Sequence, residues 1–157
     1  MKTKTILILL LLVVMGCGCR KIDEKEIIFP LINDEVEMYF LEKMPMKGEK
    51  SNYFGGMKQD FVYIINSKDE FRKIFGNVEI SNVIDFDKNT LIVGQKRMPN
   101  LFYTVNRQFM ERKGLNYVMH LGVAFSDGSY PAFSWLYFWG IYPKISEGTN
   151  ITIHIDN

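Results

Sequence analysis

The chain has very little cysteine: only Cys17 and Cys19 occur among its 157 residues, both near the N-terminus. Two thiols so placed cannot build a disulfide scaffold or a thiolate zinc site, so the fold must stand without cross-links. An excess of one charge is also missing, since 19 Lys and Arg face 18 Asp and Glu. That balance gives no electrostatic reason to expect nucleic acid or an anionic membrane surface as a partner. Histidine is limited to His120 and His154. No apolar run reaches the roughly 20 residues that a membrane-spanning helix needs, and there is no internal repeat or low-complexity tract.

The most legible stretch is the beginning. Lys2 and Lys4 precede ten consecutive apolar residues, Ile6 to Met15, a length that suits the core of a secretory signal peptide. Val14-Met15-Gly16-Cys17 then resembles the lipobox of bacterial lipoproteins: an aliphatic residue three before the cysteine and a small one just before it. The resemblance implies acylation of the Cys17 thiol with palmitate-type chains, cleavage before Cys17 and acylation of the new amine. Two or more chains, at about 0.8 kcal/mol per buried methylene, anchor stably where one would be marginal. Cys19, preceded by Gly18, competes for this role but lacks the aliphatic residue upstream, so Cys17 is preferred. The expected organisation is a signal peptide over 1–16, a lipidated tether over 17–26 and a single globular domain over 27–157. The expected location is the cell envelope, at a bacterial membrane (the outer one is favoured), with the domain outside the cytoplasm.

Removing 16 residues from 157 leaves 141, a length typical of one domain. The 22 aromatics all fall in that part, which is ample for a core and leaves a surplus for an interface. Ile27 to Leu31, with Pro30, reads as an edge strand or loop. Val36, Met38 and Phe40 alternate with Glu37 and Tyr39 and read as a short half-buried strand. The 43–58 stretch, with Pro45, Gly48 and Gly55-Gly56, reads as a loop. Asp60 to Asn66 is apolar on both faces and reads as a central strand. Ser67-Lys68-Asp69-Glu70 is a capping box that opens a helix, with Phe71, Ile74 and Phe75 on one face and Gly76 as its stop. Thr90 to Val93 is a buried strand. Tyr103–Arg112 and Leu115–Phe125 flank a Lys113-Gly114 turn as a hairpin. Phe133 to Tyr142 is apolar on both faces, and Ile151, Ile153 and Ile155 alternate in a last strand. The sum is an α+β fold: mostly antiparallel sheet, about six or seven strands, with one short helix packed on it.

The run from Asn66 to Gly94 resembles a known layout. A strand, a Ser67-x-x-Glu70 helix, then Ile84-Asp85-Phe86-Asp87-Lys88 and a second strand are similar to small, mostly uncharacterised bacterial lipoproteins. They are also similar to the C-terminal domain family of protease-complex-inhibiting lipoproteins. Ile141-Tyr142-Pro143-Lys144 is similar to a segment before the last strand of such proteins. The pattern departs where that family has a Gly-Gly-Tyr turn, because Arg97 to Tyr103 stands there instead. The resemblance implies a binding or structural role and no catalytic residues.

Little in the sequence marks a catalytic centre. No Gly-x-Ser-x-Gly elbow accompanies Ser126-Asp127-Gly128-Ser129, which reads as hairpin chemistry. Gly55-Gly56 lacks the strand–helix context of a phosphate loop. Asp85-Phe86-Asp87 reads as a turn with Phe86 in the core. His120 and His154 read as solvated surface residues. A metal would need them to meet across the sheet with a third ligand such as Asp156, and no HxxxH or HExxH spacing marks that, so no metal and no cofactor is expected. Aromatic density is what invites function. Phe133, Trp135, Tyr137 and Trp139 share one face of a strand, which is either covered by the helix or exposed as a contact surface. The candidate binding surface is Trp135 and Trp139, with Tyr53 and Phe54 on the loop. The expected function is a non-enzymatic, lipid-anchored module with a protein partner. The alternative is a glycan- or small-ligand-binding accessory protein, or an enzyme, using a cleft near the 43–58 loop.

Overall fold

Seven strands, two α-helices and one 3₁₀ turn make up the described part of the computed structural model, residues 25–43, 59–99, 103–125 and 133–156. Cys17 and the lipobox, the loop expected over 43–58 beyond Lys43, with Tyr53 and Phe54, and the Ser126–Ser129 segment lie outside the described residues. The outer sheet has the order β1 (Glu26–Ile28), β4 (Tyr103–Lys113), β5 (Asn116–Phe125), β7 (Ile151–Asp156). The inner sheet has the order β2 (Phe61–Ile65), β3 (Asn89–Met98), β6 (Ser134–Pro143). The fold is α+β and mostly antiparallel. The exception is β5 with β7, which run parallel because the chain leaves the outer sheet after β5, passes through β6 and returns.

The inner sheet is the middle of three layers. One of its faces packs Ile92, Leu136 and Phe138 against Met110, Met119 and Leu121 of the outer sheet. The other packs Ile65, Leu91 and Val93 against the helices through Phe40, Phe71 and Phe75. A sheet covered on both sides needs strands apolar on both faces, and β2, β3 and β6 have them. The central position expected for Asp60–Asn66 is corrected: among the described residues β2 stands at the edge of its sheet. Its two apolar faces reflect layers above and below it, not a neighbouring strand on each side.

α2 (Lys68–Phe75) follows its capping box. The Glu70 amide donates to Ser67 Oγ at 3.2 Å, and the Glu70 carboxylate accepts from the Asn66 amide at 2.6 Å. Phe71 and Phe75 are buried, with Ile74 packed beside them. The strand expected over Val36–Phe40 is corrected to a helix, α1 (Asp34–Lys43). Asn33 caps it, its Oδ1 accepting from the Val36 amide at 3.1 Å. Asp34, Glu35 and Glu37 fill the first turn, where carboxylates favour the helix dipole. Val36 and Phe40, four apart, are buried together, while Met38 between them is 60% exposed, so the period is helical.

Two devices close the exposed edge of β6. Leu31 pairs with Ile141 as an isolated bridge, its amide donating to the Ile141 carbonyl at 2.7 Å. Gln108, from β4, donates to the Trp139 carbonyl at 2.8 Å and to the Tyr142 hydroxyl at 2.9 Å. Burial pushes the Tyr142 hydroxyl up to about 12 despite that contact, so it stays protonated. A Cβ at Gly140 would stand 2.8 Å from Gln108 Nε2 and 3.2 Å from Pro30 Cβ, so a larger residue would press on the Gln108 amide that makes these bonds.

Candidate functional site

Two surfaces stand out among the described residues. The first is the polar face of the outer sheet. Alternation on β4, β5 and β7 sends Met110, Met119 and Ile153 inward, and sends Phe109, Glu111, His120, His154 and Asp156 outward. The parallel register sets His120 directly beside His154, and the antiparallel one sets Phe109 beside His120. The His120 ring stacks on Phe109 with centroids 4.6 Å apart and planes within 4°. Its side chain is only 16% exposed, so the surface position expected for it is corrected to a half-buried one. His154 is exposed.

Carboxylates flank both nitrogens of His120. Nε2 lies 3.2 Å from Glu111 Oε2, and Nδ1 lies 3.2 Å from Asp156 Oδ2. The other oxygen of Asp156 is 3.0 Å from His154 Nδ1. Glu111 is held in turn by Lys25 at 3.2 Å and Lys113 at 3.6 Å. The Lys25 bond, against partial desolvation and helped by His120 and Lys113, holds the Glu111 carboxyl below the usual carboxylate range. Arg107 approaches Asp156 at 3.5 Å while its guanidinium lies 5.1 Å from the centre of the Phe109 ring.

The second surface is a groove of about 390 Å³ between α1 and the edges of both sheets. Leu31, Ile32, Leu41 and Val105 line it and are all exposed, Ile32 by 90% and Leu41 by 61%. Tyr137 and Trp139 also line it, and Asn33, Glu37 and Gln108 supply polar groups. Neither histidine lines it.

Of the expected binding residues, Trp139 is half-buried and stacked on Phe40 of α1, with centroids 5.5 Å apart and planes at 25°. Trp135 is half-buried. The aromatic row is therefore partly covered, and α1 does the covering at Trp139. Asp85-Phe86-Asp87 forms a turn in which Asp85 Oδ1 accepts from the Asp87 amide at 3.2 Å and Phe86 is core. No family model, curated protein or solved structure matches the chain. The groove went unread in the sequence because α1 did. The signal that would have found it is Asn33-Asp34-Glu35, a cap followed by acids, ahead of Val36 and Phe40.

Proposed function

We propose that the chain is a lipid-anchored envelope protein whose folded part is a non-enzymatic module that binds another protein through the groove beside α1. The observation that carries this is the groove itself, concave and lined by apolar side chains left in solvent. Single exposed apolar residues are ordinary, whereas several converging on one depression favour an interface. The acidic turn of α1 defines the partner further. Asp34, Glu35 and Glu37 beside the groove disfavour an anionic lipid surface and favour a segment whose apolar anchors are flanked by Lys or Arg. Among the described residues, no helix is long and apolar enough to cross a membrane. Attachment rests instead on the Cys17 lipobox. A Cys17→Ala variant is expected to lose fatty-acid labelling and keep its leader, and continued labelling would move the anchor to Cys19 or remove it.

The binding claim is tested by capture from envelope extract with the chain and with its Ile32→Asp and Leu41→Asp variants. The expected result is one protein held reproducibly by the parent, lost with both variants and retained by a Phe133→Ala variant, whose residue is exposed but lies outside the groove lining. Equal capture by the groove variants would contradict the reading. Capture of a protease would bring back the inhibitor-like role.

A further inference from the structure

We infer that His120, His154 and Asp156 form a binding site for a divalent transition metal of the zinc class on the outer face of the β4–β5–β7 sheet. The inference is independent of the groove and of the anchor. One ligand atom from each residue lies within 4.8 Å of the other two. The Nδ1 atoms of His120 and His154 lie 3.2 and 3.0 Å from the two oxygens of Asp156, so both rings converge on one carboxylate. Two imidazoles and one carboxylate are donors that zinc accepts, and they leave coordination positions open to water.

The geometry around His120 points the same way. Both of its nitrogens face carboxylates, Nε2 toward Glu111 and Nδ1 toward Asp156, and Lys25 and Lys113 hold Glu111 from its other sides. With a metal on Nδ1, the ring would donate its Nε2 proton to Glu111. Glu111 thereby does for His120 what the carboxylate does in carboxylate–histidine–zinc arrangements: it fixes the tautomer and orientation and makes the ring a better donor. Phe109, stacked on the other side, holds the ring plane. The nearest depression among the described residues reaches Asp156 but neither histidine. Gly122, paired with Asp156, borders it, and so do Asn106 and Arg107. Arg107 is the competitor, a cation already 3.5 Å from Asp156. Its side chain is exposed and can swing aside.

The test uses the untagged full chain in detergent, in a Cys17→Ser/Cys19→Ser background that removes the only thiols. Zinc is titrated calorimetrically, with calcium and magnesium as oxygen-seeking controls. The expected result is saturable binding of one zinc per chain, undisturbed by calcium or magnesium and lost in His154→Gln and Asp156→Asn. Binding should weaken by about 10–100-fold in Glu111→Gln, the range seen when an outer carboxylate is removed, and tighten in Arg107→Gln. His154 is 61% exposed, so its variant should keep the parent's thermal unfolding and test the site without disturbing the fold. As a second measurement, zinc should shift the Nδ1 resonances of both histidines while His120 Nε2 keeps its proton. Absence of saturable binding up to millimolar zinc would overturn the inference. So would undiminished binding in the His154 and Asp156 variants, or a His120 ring that is doubly protonated and indifferent to zinc.

Discussion

Phe40→Ala should be among the most damaging single changes in the described part of the chain, and Met38→Ala among the least. Phe40 is fully buried. Its ring stacks on Trp139 and meets Phe75 edge-on at 5.6 Å and Tyr39 edge-on at 5.2 Å. Truncating a buried phenylalanine costs about 3–5 kcal/mol in lost transfer and cavity terms. The aromatic pairs, each worth about 0.5–1.5 kcal/mol beyond burial, place this one toward the upper end. The loss is a large part of a typical stability of about 5–15 kcal/mol and should lower the melting temperature by on the order of 10 °C. Met38 lies in solvent, so its truncation should stay within about 0.5 kcal/mol. Urea unfolding of both variants, read by circular dichroism, measures the contrast. It also decides the element type, because a strand would put Met38 and Phe40 on one face and make their costs similar. Comparable losses, or a loss below about 1 kcal/mol at Phe40, would refute the packing of α1 on the inner sheet.

Two further outcomes follow from the packing and charge of the inner sheet. Gly140→Ala should destabilise by about 1–3 kcal/mol in denaturant unfolding, because its Cβ overlaps Gln108 and Tyr142 at 2.8 Å, while an unchanged midpoint would mean that β4 and β6 are further apart. Partial burial pushes Asp60 up, but the Lys96 ammonium and the Arg97 amide, at 2.7 Å from Oδ1, hold its carboxyl below the usual carboxylate range. A depressed folded value stabilises above the unfolded value of about 4 and is lost as pH falls through the folded one. The stability gap between the parent and Asp60→Asn should therefore be constant near neutrality and close below about pH 4, and a gap that widens in acid would reverse the assigned sign.

The sequence revealed most where a signal was local. The hairpin of β4 and β5 is set by Lys113-Gly114 and a strict period of two, and α2 by its capping box. Val36-Met38-Phe40 misled because positions four apart satisfy both a strand and a helix, and only the exposure of Met38 separates them. β2 looked central because residue types report what covers a strand's faces and not what flanks its edges. The histidine cluster carried no local signal: His120, His154 and Asp156 could be named together in the sequence, but no spacing joined them. His120 and His154 are 34 positions apart, and the parallel register that joins them exists only because β6 carries the chain through the other sheet. The groove was hidden for a related reason: its walls come from α1, the chain around Leu31, β4 and β6, which meet only in the assembled layers.

The proposed role requires that the groove beside α1 hold a segment of another protein while the chain is anchored in the envelope. A photo-reactive phenylalanine analogue placed at position 32 in living cells tests it most directly, since Ile32 stands at the groove and is the most exposed of its apolar side chains. One discrete protein adduct is expected, cross-linked through an apolar segment flanked by Lys or Arg and lost when Leu41→Asp is added. Adducts to lipid alone, or no adduct, would contradict it.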